Sequence, residues 1–382
     1  MTTEINPERL ADLFTTLCEI DSPSRKEGRM AAELTKIFSG MGATVLEDDS
    51  APRTGSECGN LLVRFPDGGL DLAPVFFNCH LDTVQPGIGV KVVRRGDTFA
   101  SKGDTVLGAD DKSGIAVLIE VMRTLQENRA AHGPVEFIFT TCEETGLQGA
   151  KAFDPGQLRA KMGYALDTTA TNRVIIGAPA ANRFVVEIAG VSAHAGLNPE
   201  QGVNAIQLAS RAIAELHLGR LDEESTANIG LIAGGTATNI VPDLVKIHGE
   251  IRSHSDAKLF AHTEEFKETF YQVIDDWTDP SGRAAGKPAV SMTVTPEYPA
   301  MRLAMDAKVL ARVRNAAAGL PGAALEFVVA GGGSDANIFT SRGLDCAIIG
   351  TGMTKVHTVE ETIHLQDMCR CAELVLKILT VG

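Results

Sequence analysis

Seven acids and imidazoles stand in five short, widely separated segments of this 382-residue chain: His80 and Asp82 in NCHLDT, Asp110 in LGADDKSG, Glu143 and Glu144 in TTCEETG, Asp167 in YALDTT and His357 in KVHTVEE. Together they offer two imidazoles, a carboxylate able to bridge two ions, terminal carboxylates, and an acid able to take a proton from water. That is the equipment of a two-metal hydrolase. Each group also has a plainer use. A lone His-x-Asp serves structural hydrogen bonding as readily as metal ligation. Asp110 or Asp111 could cap a helix, and adjacent glutamates are usually a solvated surface, as expected for Glu223-Glu224 and Glu264-Glu265.

The elements around these residues favour the chemical use. PVFFNC is a short apolar run suited to a strand buried on both faces, and it delivers His80 and Asp82 at its end. Residues two apart in an extended segment share a face, so Asp82 is placed to orient His80. The acids of GADDKSG lie between Gly108 and a helix expected over 112–127. Asp110 is there placed to put one oxygen on each of two ions about 3.5 to 4 Å apart. Strand VEFIFTT delivers Glu143 and Glu144 together, so that one can bind metal while the other faces water. Asp167 ends strand GYALD, and His357 follows strand CAIIG. Oxygen and nitrogen ligands without thiolate suit Zn²⁺, with Co²⁺ or Mn²⁺ as replacements. Cys79 and Cys142 are expected to be small buried strand residues.

Helices are expected from residue 7 and over 25–41, and strands over 43–47, 59–65 and 74–79. Strands 134–141 and 162–166 follow, with a helix near 147–153. This alternation implies an α/β fold, a mostly parallel mixed sheet flanked by helices. Between 180 and 295 the order becomes strand 183–191, helix 203–217, strands 227–234 and 244–252, helix 256–276 and strand 289–295, the split arrangement of a ferredoxin-like α+β domain. The α/β pattern then resumes with helix 306–318, strand 324–329, strand 345–349 and helix 365–380. The expected organisation is one domain from 1–179 and 296–382, with the small domain 180–295 inserted, which suits the chain length.

Charged residues make up 22% and hydrophobic residues 44%, as in ordinary soluble domains. The formal charge of -14 disfavours nucleic acid and anionic lipid. Seven cysteines without regular spacing point to a reducing compartment. The N-terminal MTTEINPERLADLF lacks the basic start and apolar run of a signal peptide. No apolar stretch approaches ~20 residues. A cytoplasmic location without membrane contact is expected.

HLDT, GADDKSG, EETG, LD and HTVEE, in this order and with a small domain inserted after the fourth, resemble the zinc metallopeptidase family of carboxypeptidase G, aminoacylase and acetylornithine deacetylase. LGADDKSGIA, GGGSDAN and HTVEE are most similar to its peptidase T-like branch, the tripeptide aminopeptidases. The resemblance covers nearly the whole chain. It implies two Zn²⁺, with His80 and Asp167 on one, Glu144 and His357 on the other, and Asp110 bridging. It makes Glu143 the general base and Asp82 the residue that orients His80. His364, seven residues beyond His357, falls outside the pattern and is expected at the surface or a helix start.

In the inserted domain, GVSAHAGLNP resembles the family segment whose histidine helps hold the substrate carbonyl or carboxylate, which implies that role for His194. Asn239 in ATNIVPD and Arg252 in GEIRSHSD match substrate-contact positions, and the loop at Gly331 to Ser334, with Gly332 and Gly333, would offer backbone N–H groups to substrate. The implied activity is hydrolysis of short peptides from the N-terminus. Removal of an N-acyl group from an amino acid needs the same metals and attack, and a non-catalytic binding protein on the same fold would lack a ligand or the base. The family also implies a homodimer formed through the small domain, which would act as lid and dimerisation domain.

Overall fold

The computed structural model describes residues 4–320 and 324–381. Residues 1–3 of the N-terminal segment discussed above lie outside them. The chain divides into two compact units, Met1–Ala178 with Met301–Gly382, and Pro179–Ala300.

The first unit is built on a mixed sheet. Its strands run side by side as Thr44–Glu47, Leu61–Arg64, Val135–Thr140, Val75–His80, Met162–Ala165, Asp345–Ile349, Arg173–Ala178 and Met301–Arg302, with Glu326–Val329 also pairing to Arg173–Ala178. Four central neighbours, Val135–Thr140, Val75–His80, Met162–Ala165 and Asp345–Ile349, are parallel. Val75–His80 and Val135–Thr140 are buried at every position, which explains their mainly apolar composition: both faces are covered, so no polar alternation is needed.

Helix Ala109–Glu127 packs on strand Val75–His80 and against helices Pro7–Cys18 and Leu365–Thr380. It is buried nearly all round, from Ile115 and Ala116 through Leu125. Phe38, Phe65, Phe137 and Phe139 form an aromatic cluster with ring centroids 5.4 to 6.2 Å apart. Each such buried side chain contributes about 1.5–3 kcal/mol by leaving water.

Three local differences from the sequence expectation have physical reasons. The helix expected over 112–127 begins at Ala109, with Asp110 and Asp111 inside its first turn but in non-helical φ/ψ. The acids therefore belong to a distorted helix start rather than to a preceding loop. Arg173–Ala178 is a strand where no element was expected, because Val174, Ile175 and Ile176 form too short a run for periodicity to distinguish from loop. Val92–Arg95, Thr98–Ser101 and Thr362–His364 form a separate three-stranded antiparallel sheet. Its strands are only three or four residues long, with Phe99 and Ile363 the fully buried positions, too short to show a clear alternation.

The second unit is an antiparallel sheet of the four long strands Ala180–Ala189, Ser225–Gly234, Leu244–Ser253 and Ala289–Tyr298, plus the short Gly219–Arg220 at its edge. The first long strand sits between the third and the last. Helices Ala205–Glu215 and Asp256–Asp275 pack on the sheet. Phe184, Val186, Ile188, Val245, Ile247 and Ile251 meet Leu208, Ala209, Phe266 and Phe270 in a core of its own. This is the strand and helix order of the ferredoxin-like expectation.

Candidate metal centre

Because the four central strands are parallel, their carboxyl ends open at one edge of the sheet, where open α/β folds gather ligands. His80 is the last residue of its strand, Glu143 and Glu144 follow Thr140, Asp167 follows Ala165, and His357 lies in the loop after Ile349. The strand ends thus explain why four of the five distant segments meet; Asp110 comes from the start of helix Ala109–Glu127.

Asp110 is the hub. Its Oδ1 lies 3.0 Å from His80 Nε2 and its Oδ2 lies 3.2 Å from His357 Nε2. His357 Nε2 is also 3.0 Å from Glu144 Oε1. Ligand atoms of His80, Asp110 and Asp167 lie within 4.8 Å of one another, as do those of Asp110, Glu144 and His357, and those of His80, Glu143 and Glu144. His80, Asp82, Asp110 and Glu143 are buried, whereas the His357 side chain is half exposed.

The backbone is held as firmly as the side chains. Gly108 takes φ +76, a value that favours glycine, directly before the turn. Glu361 accepts the backbone N–H of Gly108 at 2.7 Å and of Asp110 at 3.1 Å. His80 Nδ1 lies 2.9 Å from the Asp82 main-chain oxygen and 3.6 Å from its carboxylate, so the ring is oriented first by the carbonyl. The Asp82 carboxylate instead accepts the backbone N–H groups of Glu143 at 2.9 Å and Glu144 at 3.2 Å.

The electrostatics follow from crowding acids in a dry site. Burial, then the charge of Asp167, pushes Glu143 well above the usual carboxylate range. Burial and the charge of Asp110 push Asp167 up to about 8. Burial also raises Glu144. Asp110 is pushed up by burial too, but the hydrogen bonds of His357 and His80 outweigh that and hold it well below the usual range. The hydrogen bonds His357 donates to Asp110 and Glu144 raise it to about 10. Repulsion among Asp110, Glu143, Glu144 and Asp167 is what divalent cations relieve, and the oxygen and nitrogen donors fit such ions.

The sequence profile of peptidase family M20/M25/M40 matches residues 76–381. The chain belongs to this peptidase family. A Bacillus subtilis protein described as uncharacterized, YqjE, is 38% identical over 98% of both chains. A crystal structure of aminopeptidase PepT from Bacillus cereus is 38% identical with a TM-score of 0.87, covering 98% of both chains. A tripeptidase structure from Staphylococcus aureus is 34% identical with a TM-score of 0.90, covering 99% of this chain and 98% of its own. The mixed sheet and the separate antiparallel sheet are thus the architecture of this peptidase fold.

The geometry brings together His80, Asp82, Asp110, Glu143, Glu144, Asp167 and His357, all in the first unit. His364 joins none of the three metal-capable groups; its Nδ1 lies 3.1 Å from Thr98 Oγ1, directly before helix Leu365–Thr380. Gly332 is exposed and Gly333 half-buried in the loop before helix Asp335–Ser341. His194, Asn239 and Arg252 belong to the second unit. The backbone of His194 bridges to Ile240, and Asn239 O accepts the Ala195 N–H, so His194 and Asn239 come from neighbouring loops. Arg252 is paired with Glu250, at 2.9 and 3.0 Å.

Two further groups, Glu361 and Asp335, carry no expectation from sequence, and a third, Asp111, is expected there only as a possible helix cap, which it does not form. Glu361 is the second glutamate of HTVEE, and its position two turns of loop beyond a ligand was the available signal. Asp335 lies buried under the site, with the Thr140 hydroxyl and, at 3.4 Å, Asn78 Nδ2 on its Oδ2. Burial pushes it to about 6; it follows the glycines of GGGSDAN, the part of that motif expected from sequence to contact substrate. Asp111 is fully buried and accepts the His80 backbone N–H at 3.3 Å. It supports the His80 strand end.

Proposed function

We propose that the chain is a metal-dependent aminopeptidase acting on short peptides such as tripeptides. The observation that carries this is Asp110, whose two oxygens each meet a different imidazole, His80 and His357, beside the buried acid Glu143. Full-length likeness to aminopeptidase PepT and to a tripeptidase supports the substrate class.

In this reading His80 and Asp167 would hold one ion, Glu144 and His357 the other, and Asp110 would serve both; Zn²⁺ would suit these donors, with Co²⁺ or Mn²⁺ able to replace it. When bound, such a pair lowers the pKa of water and polarises the scissile carbonyl. Glu143 accepts the proton of the attacking water and delivers it to the leaving amine. Burial and the charge of Asp167 raise its affinity for a proton, which suits an acid that must take a proton and then return it. Asp82 fixes the Glu143 and Glu144 backbone and, through its carbonyl, the His80 ring. Glu361 sets the Asp110 backbone.

The first unit is the catalytic domain, with Gly332 and Gly333 supplying backbone donors; for the second unit the family resemblance implies substrate-binding roles for His194, Asn239 and Arg252. Arg252 has the planar fork that a peptide carboxylate needs. The strand Ser225–Gly234 leaves Leu231 and Ile232 66% and 53% exposed, which supports a homodimer through this unit. Among the described residues no helix is long and apolar enough to cross a membrane, in keeping with action in the cytoplasm.

The test is hydrolysis of one tripeptide by zinc-loaded protein, with its N-terminus free or acetylated. Release of the first residue from the free form alone supports an aminopeptidase. Preferred removal of the acetyl group moves the protein to the N-acyl amino acid deacylases.

A further inference from the structure

We propose that Ser24 and Glu27, on the segment between helices Pro7–Cys18 and Gly28–Gly40, are positioning residues that hold the turn carrying Glu143 and Glu144. The proposal rests on the reading of Glu143 as the base.

That turn needs holding. Cys142 sits at φ +54 and Leu147 at φ +57, in the left-handed region that non-glycine residues rarely occupy. This conformation swings the chain from the end of strand Val135–Thr140 so that successive glutamates reach the site. Such a backbone persists where its surroundings fix it.

Two carboxylates do so. Glu27, with no exposed surface, accepts the Cys142 backbone N–H at 3.0 Å and its thiol at 3.3 Å through the same oxygen. That oxygen also accepts the Arg25 N–H at 2.9 Å, while the other accepts the Ser56 hydroxyl at 2.5 Å. Asp82 takes the next two N–H groups, of Glu143 and Glu144, and the Ser24 hydroxyl donates to Asp82 Oδ2 at 2.7 Å. Three consecutive N–H groups therefore end on two acids, and residues 24 and 27 of one short segment touch both. Ser24 N–H also donates to the Thr83 carbonyl at 3.3 Å, tying this segment to the HLDT strand end.

A side chain that only stabilised the fold would touch this turn no more than any other. Here every polar contact of the Ser24 hydroxyl and two of those made by Glu27 lead to the residues beside the base. Neither side chain lies among the metal-capable groups, so each acts through Asp82 or Cys142 rather than on ion or substrate.

The test compares Glu27→Ala, Glu27→Gln and Ser24→Ala with the unchanged zinc-loaded protein. Tripeptide turnover is measured together with bound metal and with amide hydrogen exchange over residues 141–147. Glu27→Ala is expected to lower kcat about 10- to 100-fold with little change in KM, to keep both ions, and to speed exchange in that segment. Glu27→Gln retains an oxygen for the Cys142 N–H and is expected to stay within about threefold of wild type. Ser24→Ala, at a half-buried site with no backbone partner lost, should shift kcat and exchange the same way by less, and it carries the test where Glu27→Ala fails to fold. Unchanged kcat and exchange in the alanine variants would overturn the proposal. So would a loss confined to KM or metal, or a Glu27→Gln variant as impaired as Glu27→Ala. An unchanged protein that cleaves no peptide would remove the aminopeptidase reading, while the exchange measurement would still report on the clamp.

Discussion

Glu361 Oε1 accepts the backbone N–H of Asp110 at 3.1 Å, although 251 residues of chain separate the two. Its other oxygen accepts Gly108 N–H at 2.7 Å, inside a pocket where the carboxylate is 1% exposed. The loop after the last parallel strand thus sets the geometry of the hub acid. Glu361→Ala would leave two buried N–H groups unpaired, at about 1–3 kcal/mol each, and let Asp110 turn. Metal affinity, measured by competition with a chelator, should fall about 10- to 100-fold. Unchanged affinity would mean that Asp110 is positioned by the helix start alone.

The division of ligands between two ions predicts unequal losses. His357→Ala removes a donor from the Asp110, Glu144 and His357 group and leaves His80, Asp110 and Asp167 intact. Titration calorimetry should then show one ion bound nearly as before and one much more weakly. Two ions held at wild-type affinity would exclude His357 as a ligand.

Acid crowding makes the metal-stripped protein sensitive to pH. Asp167 is raised to about 8 in the fold, mainly by burial, against about 3.9 in an unfolded chain. Between these values the folded state binds more protons, so stability falls as pH rises. His357, raised to about 10 by the hydrogen bonds it donates to Asp110 and Glu144, contributes stability that is complete below about 6.5 and lost as pH climbs through 10. Both act in the same direction. The melting temperature of stripped protein should decline from pH 5 to pH 8, and added Zn²⁺ should restore more at pH 8, where fewer protons must leave. A stripped protein that grew more stable over this range would contradict the acid crowding.

The parts legible in the sequence are those that a strand end announces. His80, Glu143 and Asp167 each follow a largely apolar strand, and parallel strands bring such ends together whatever their separation in the chain. The small domain was legible because its strands alternate and its helices are amphipathic. What escaped notice acts through backbone groups. Glu361 and Glu27 are buried acids whose partners are N–H groups of other segments, as is Asp111, expected only as a helix cap, and a backbone partner leaves no trace in residue type. Asp82 shows the same limit: its spacing suggested a carboxylate on His80, while the structure uses its carbonyl there and gives its carboxylate to Glu143 and Glu144.

The central claim is that Glu143 moves the proton while other residues hold the ions. Glu143→Gln tests it most directly, with turnover of a tripeptide and metal content measured on the same preparation. Two bound ions with turnover reduced at least about 10²- to 10⁴-fold is the expected result. Normal hydrolysis, or loss of an ion in proportion to the loss of activity, would contradict the assignment of Glu143 as the base.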